Sequence, residues 1–273
     1  MRTLRPAILF PLLAVIVVLL FTLDLMTGSV SLSFSEVWTA LMGEGDRATL
    51  VIVRHIRLIK ALVAILVGAS LSVSGLQMQT LFRNPLAGPY VLGITSGASL
   101  GVALFILGAP LLRLAATSIT TFGIAGAAWI GSALILMVIA TVGARIKDIM
   151  VVLILGMMFS SGVGAVVQVL QYLSHEEALK TFVVWTMGAL GDVTDRQLAI
   201  FVPAIVVGLI VGVLVIKPLN LLLLGEQYAR TMGINLRRSR LLIFLSTTLL
   251  AGTVTAFCGP IGFVGLAVPH LAR

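Results

Sequence analysis

The sequence predicts an all-α polytopic membrane protein, and three observations carry that prediction. Of 273 residues, 59% are hydrophobic and 10% charged, where soluble domains carry roughly 25% charged residues. The mean hydropathy is +1.17, and a soluble chain this apolar would expose large patches and aggregate. The apolar residues fall into runs near the ~20-residue length with which a helix crosses a bilayer. Together these features exclude an ordinary soluble enzyme and point to one continuous transmembrane domain over residues 1–273.

Eight spans are expected, at residues 7–26, 61–81, 91–109, 117–142, 149–172, 198–216, 241–258 and 261–273. The first follows Arg2 and Arg5, as a signal peptide's apolar core would, but it is too long for one and no small-x-small cleavage site follows. It therefore reads as a span. The last run is short for a crossing, so an incomplete span is expected there.

The net charge of +8 and pI of about 10.6 would suggest nucleic acid in a soluble chain. No basic patch here is interleaved with aromatics, so nucleic acid is excluded as a partner. The charge fits basic residues at the cytoplasmic rims of spans. With a cytoplasmic N-terminus, eleven of the 18 Lys and Arg fall on that side and seven on the other. Four of the seven, Arg47, Arg54, Arg57 and Lys60, cluster within one outer segment and call for an explanation. Cys258 is the single cysteine. In an apolar stretch it reads as a small buried residue, without a redox role.

Between the first two spans, Ser33 and Glu36 fit a capping box for a short helix with an apolar face. That helix lies at the membrane surface or packs on the bundle; the sequence leaves both open. The second long outer loop, 173–197, carries carboxylates expected to be solvated, and Trp185, which suits an interfacial anchor. Gly97 with Gly101, and Gly208 with Gly212, have the GxxxG spacing that lets helix backbones approach.

Catalytic chemistry finds no support. Lys180-Thr181 follows Leu179 where a P-loop needs glycine, so no nucleotide site of that kind is present. His55, His175 and His270 stand far apart, in no metal-ligating pattern. Span interiors are nearly free of ionisable residues, which argues against proton or ion coupling.

Two segments carry functional candidates. Met157, Ser161, Gly164, Gln168 and Gln171 fall within about an 80° arc of one helix. This uncharged polar stripe either lines a path for a large solute or hydrogen-bonds to another helix. Ser70, Ser74, Gln77 and Gln79 put similar polarity into the second span. The second candidate is the cytoplasmic segment 218–240, where Gly225 and Gly233 bracket a short helix. Glu226 in its first turn and Arg230 in its last complement the helix dipole and form an i,i+4 pair. Gly233 suits the C′ position. The helix is expected to be polar outside, and is either a docking element or an ordered loop.

At these residues the chain resembles the FecCD-type permeases, the membrane subunits of bacterial ABC importers for iron–siderophore complexes, haem and vitamin B12. The matching stretches include Arg54-His55-Ile56-Arg57-Leu58, Arg83-Asn84-Pro85-Leu86-Ala87 and Trp185-Thr186-Met187-Gly188. They continue with Leu224-Gly225-Glu226 through Gly233, Gly259-Pro260-Ile261-Gly262 and Pro269-His270-Leu271-Ala272-Arg273.

The resemblance implies an ABC importer permease bundle of ten spans, eight of them within this chain and the C-terminal part of the fold beyond it. It implies a homodimer with a central path in the bacterial inner membrane, two ATPase subunits that hold ATP and Mg, and a periplasmic or lipid-anchored binding protein. This chain would bind no cofactor itself. Its cargo would be a ferric siderophore, haem or cobalamin. Gly225, Glu226, Ala229, Arg230, Gly233 and Arg237 occupy the ATPase-coupling positions. Arg57 and Lys60 occupy those that dock the binding protein, although Ile59-Lys60 stands where the family more often has Pro-Arg. The fifth span lines the path in relatives, which favours that role for the Met157–Gln171 stripe. A secondary transporter or a passive pore for a large polar solute is the competing reading.

Overall fold

Backbone amides and carbonyls find no water in hydrocarbon, so an apolar run that enters it must satisfy them internally as a helix. The computed structural model describes residues 6–108, 121–143, 145–146 and 148–272, and among them there is no strand. Arg2, Arg5, Arg113, Lys147 and Arg273, counted above in the charge balance, lie outside the described residues, as does the start of the span expected at 117.

Five helical runs are long and apolar enough to cross a membrane. They are α1 (Pro6–Met26), α6 (Thr121–Gly143), α7 (Ile149–Leu173), α9 (Asp195–Leu214) and the continuous run Leu236–Cys258. That last run joins α12 (Leu236–Thr247) to α13 (Thr253–Cys258) through a π-helical turn at Thr248–Gly252. At 1.5 Å per residue α1 extends about 31 Å, close to the hydrocarbon thickness. Helix α4 (Leu58–Phe82) has a comparable length but buries Ser70, Ser74, Gln77, Gln79 and Thr80.

Two expected spans are broken. Pro89 opens a 3-10 turn (Pro89–Leu92), and Gly93 at φ +73° separates it from α5 (Ile94–Ala103), which ends in a π turn at Leu104–Gly108. The resulting helical run is about 22 Å long, short of a full crossing. At the other end Gly259 and Phe263 both take positive φ around Pro260, and α14 (Val264–Leu271) follows with eight residues. The 173–197 segment also departs from expectation. Within it α8 (Glu176–Met187) forms, with Glu176 and Glu177 in its first turn and Phe182 buried.

The described chain divides into two units. The first comprises residues 1–65 and 193–198. Beyond α1 it holds α2 (Phe34–Met42), α3 (Arg47–Val51) and a π-helical turn at Ile52–Arg57. Ser33 and Glu36 form the expected capping box, with the Ser33 N–H donating to Glu36 Oε2 at 2.7 Å. Leu25, Leu32, Val37, Ala40, Val53 and Ala61 make this unit's core, so α2 packs on protein through Val37 and Ala40. Phe34 and Trp38 stack on its exposed side.

The second unit comprises residues 66–192 and 199–273. Close backbone approaches organise it. A Cβ on Gly97 or Gly101 would run into the α6 carbonyls of Gly131 and Ala127, so the GxxxG spacing does bring these helices together. A Cβ on Gly75 would overlap the Gly265 carbonyl. Polar links add to the packing: Gln77 donates to Ser246 Oγ at 3.0 Å and accepts from Thr247 Oγ1 at 3.0 Å, and Ser246 donates to the Gly208 carbonyl at 2.9 Å. In the second span Gln77 and the Gln79 amide N–H, which donates to the Leu266 carbonyl at 3.1 Å, make helix–helix hydrogen bonds, while Ser70 and Ser74 donate to carbonyls of their own helix.

Candidate translocation path and coupling segment

The polar stripe lies on α7, between Asp148, whose carboxylate caps the Met150 N–H at 2.9 Å, and Ser174. Met157, Ser161 and Gln168 are exposed, and Gly164 and Gln171 are half-buried. Ser161 donates to its own helix, at the Met157 carbonyl. A Cβ on Gly164 meets nothing within 4 Å. The stripe is thus open along its length, unlike the buried Gln77 network.

Met157 also borders a hollow of about 540 Å³. Tyr90, Thr95, Ser96 and Ser160 line it together with Pro260, Ile261 and Gly262. Both interrupted helices reach this hollow, one through the segment before α5 and the other through the Gly259–Phe263 break. Among the described residues the Tyr90 hydroxyl and Thr95 Oγ1 are buried with no hydrogen-bond partner. Polar atoms left this way are costly unless a ligand or water meets them.

The Trp185-Thr186-Met187-Gly188 stretch meets the break after Cys258. Trp185 is half-buried beside Phe182, and its carbonyl approaches Gly259 so closely that a Cβ there would lie 2.5 Å away. The Ala189 N–H donates to the Cys258 carbonyl at 2.8 Å. The Trp185 backbone therefore packs against the Gly259 break.

The candidate coupling segment begins with α10 (Ile216–Leu223), followed by Gly225 at φ +123° and α11 (Glu226–Thr231). The expected C-terminal cap is present as a Schellman motif. Gly233, at φ +81°, donates to the Arg230 carbonyl, and Ile234 donates to the Ala229 carbonyl, both at 3.0 Å. Ala229 is 0% exposed and enters a core with Phe82, Leu222, Leu236 and Phe244, which seats α11 on the bundle.

Two expectations change here. Glu226 does not pair with Arg230; it forms an ion pair with Arg240 in α12, whose guanidinium comes from a neighbouring helix and is only 12% exposed. Nor is the outer face of α11 wholly polar. Tyr228 and Met232, one helical turn apart, are 47% and 56% exposed, and Leu224 beside them is also exposed. Arg230 and Arg237 are exposed on the same segment.

Sequence reasoning missed Arg83 as a positioning residue. At φ +48° it ends α4, and its guanidinium donates to the Leu222 carbonyl at the C-terminus of α10, from Nη2 at 2.6 Å and Nε at 3.2 Å. An arginine directly after a long apolar run, followed by Asn-Pro, was the available signal. A further hollow of about 530 Å³ lies beside it, lined by Arg83, Asp148, Leu222, Glu226, Gln227 and Arg230 among others.

The expected docking residues separate. Arg57 is 7% exposed, and its guanidinium donates to the carbonyls of Leu25 (2.8 Å), Met26 (3.0 Å) and Val30. Three of its five donors are thus spent on carbonyls at and after the end of α1, a structural role beside the expected docking one, for which little of the side chain is exposed. Arg54 does likewise for α2, donating to the Leu41 carbonyl at 2.6 Å, although it is exposed. Lys60 is half-exposed and lies 3.7 Å from Asp24. The basic cluster of this segment is thus partly a set of helix C-caps.

Comparison with known proteins matches residues 15–273 to the FecCD transport family. The hemin transport system permease protein HmuU of Yersinia pestis is 37% identical, over 98% of this chain and 79% of its own length. The molybdate import system permease protein MolB of Haemophilus influenzae is 34% identical, over 98% of this chain and 79% of its own. A solved structure reported as an inward-facing metal-chelate type ABC transporter superposes with a TM-score of 0.82 at 30% identity, covering 98% of this chain and 81% of that one.

Proposed function

The chain belongs to the FecCD transport family and is a permease subunit of the ABC import type, and on that footing we propose that it carries a metal chelate across a bacterial inner membrane along the α7 stripe. The observation that carries this reading is the open, uncharged stripe of Ser161, Gly164, Gln168 and Gln171 beside the Met157 hollow. A bare oxyanion would call for cationic groups, and the stripe has none. Amides and hydroxyls suit the weakly polar periphery of a ferric siderophore, haem or cobalamin.

Two such chains would face each other across the path, and two ATPase subunits would supply ATP and Mg. A periplasmic or lipid-anchored binding protein would deliver the cargo. The N-terminus lies on the cytoplasmic side in this reading, which puts the coupling segment on the ATPase side. The eight expected crossings correspond to α1, α4, α5 with its π turn, α6, α7, α9, Leu236–Cys258 and α14, of which the α5 run and α14 are shorter than a full crossing, within a family bundle of ten and one permease domain. Gly225 and Gly233 shape α11, Ala229 and Glu226 anchor it, and Arg230 and Arg237, with Tyr228 and Met232, meet the ATPase. An exposed aromatic and a methionine flanked by arginines have the composition of an interface core. Lys60 is the better candidate for contact with the binding protein.

Reconstitution tests this. Proteoliposomes with the permease, ATPase and binding protein should take up chelate only with ATP. Uptake by the permease without an ATPase would overturn the reading in favour of a secondary transporter or pore.

A further inference from the structure

Helices α6, α7 and the Leu236–Cys258 run are three of the five long apolar helices. Gly143 ends the first, Ile149 opens the second and Leu236 opens the third. A cavity of about 430 Å³ is lined from all three of these ends. A site where three spanning helices end lies at the boundary between hydrocarbon and headgroups.

The cavity has two chemistries. Its walls are apolar, formed by Met137, Ala140, Ile149, Val152, Leu241 and Phe244. The Thr141 hydroxyl is spent on its own helix, donating to the carbonyls of Met137 (2.8 Å) and Val138 (2.9 Å). Arg230, Arg237 and Arg240 line the cavity as well. Two carboxylates stand near. Glu226 is ion-paired to Arg240, and Asp148 caps α7; neither lines this cavity. The lining therefore combines an apolar slot with net positive charge.

We infer that this cavity binds an anionic phospholipid, with an acyl chain along the α6 and α12 walls and the phosphate at Arg230 and Arg237, the exposed arginines of the lining; Arg240 is already engaged with Glu226 and the Ile146 carbonyl. Guanidinium groups match phosphate geometry, and basic pockets between spanning helices are a recurrent site for acidic headgroups. Depth favours lipid over a soluble subunit. Met137 lies about 9 Å along the axis from Gly143, and Phe244 about 12 Å from Leu236, well inside the spans. The inference rests on these helices being spans and is independent of the cargo; it shares Arg230 and Arg237 with the proposed ATPase contact, and the Ala140→Phe arm of the test separates the two roles.

The test uses the assembled transporter in mixed micelles containing phosphatidylglycerol or phosphatidylcholine, with retained lipid counted by native mass spectrometry. Phosphatidylglycerol should be retained in preference. Arg237→Gln should weaken its retention about fivefold, the effect of one cation near an acidic headgroup, and leave phosphatidylcholine unchanged. Ala140→Phe should fill the slot and displace both lipids while the ATPase still co-purifies. Equal retention of the two lipids by the wild type overturns the inference, as does undiminished retention by Ala140→Phe. Loss of the ATPase from Ala140→Phe with lipid unchanged also overturns it, and assigns the cavity to a protein contact.

Discussion

Glu226 is held by Arg240, fourteen residues further along the chain, so α11 is tied to the first turns of α12 by charge as well as by the buried Ala229. A force applied to α11 is then passed to a spanning helix through an ion pair and a packed core, rather than dissipated in a loop. Hydrogen bonds to charged groups contribute about 1.5–3 kcal/mol each. Glu226→Gln and Arg240→Gln should therefore reduce ATP-driven uptake while the ATPase still co-purifies. The charge-swapped double variant should recover part of it. Uptake unchanged in both single variants would remove the pair from the coupling route.

Gly101→Ala should destabilise the second unit. The added methyl meets the Ala127 carbonyl of α6, and backbone cannot move aside as a side chain can. Overpacking of this kind costs about 1–3 kcal/mol, measurable as a lowered unfolding temperature in detergent.

Gly164→Trp should behave oppositely. The position is open, so the fold should tolerate the ring, but a bulky side chain on the stripe should block uptake. Wild-type transport by a stably folded Gly164→Trp protein would move the path away from α7.

Arg57 and Lys60 should part company. Arg57→Gln removes donors from the C-terminal carbonyls of α1 and should lower stability, whatever the binding protein does. Lys60→Glu should leave stability nearly unchanged, since a surface pair contributes about 0–1 kcal/mol. Its effect should appear as weaker, salt-dependent binding-protein affinity, measured on the assembled transporter.

The capping box should respond to acid. Hydrogen bonds from the Ser33 hydroxyl and the Ser33 backbone N–H hold the Glu36 carboxyl below its ordinary value of 4.5. A depressed folded pKa means the stabilisation is complete above the unfolded value and is lost as pH falls through the lowered one. Amide exchange at the start of α2 should therefore quicken as pH falls below about 4.5, after correction for intrinsic rates. Ser33→Ala should show faster exchange already at neutral pH.

Local chemistry was legible in the sequence because its partners sit within one turn. Ser33 with Glu36, Gly233 after Arg230, and the Gly97–Gly101 spacing all appear in the structure where the residues predict them. Long apolar runs likewise identified α1, α6, α7 and α9. Contacts across the chain were not legible. Arg57 reads as a free surface cation until Leu25, Met26 and Val30 are seen to turn their carbonyls toward it. Glu226 has a well-spaced neighbour in Arg230, yet tertiary packing offers it Arg240. The break around Gly93 was hidden because Val91 and Leu92 read as the start of an apolar run. The exposure of Tyr228 and Met232 follows from which face Ala229 buries, and that depends on the core beneath it.

The contact between Gly75 and Gly265 carries a mechanical consequence. Two helices that cross through side chains can ratchet, because knobs leave one set of holes and enter another. Where backbone rests on backbone there is no knob to move, and sliding would drive one main chain into the other. This crossing therefore acts as a pivot. Swinging of α14 against α4 about Gly75 keeps this contact, whereas sliding along α4 breaks it.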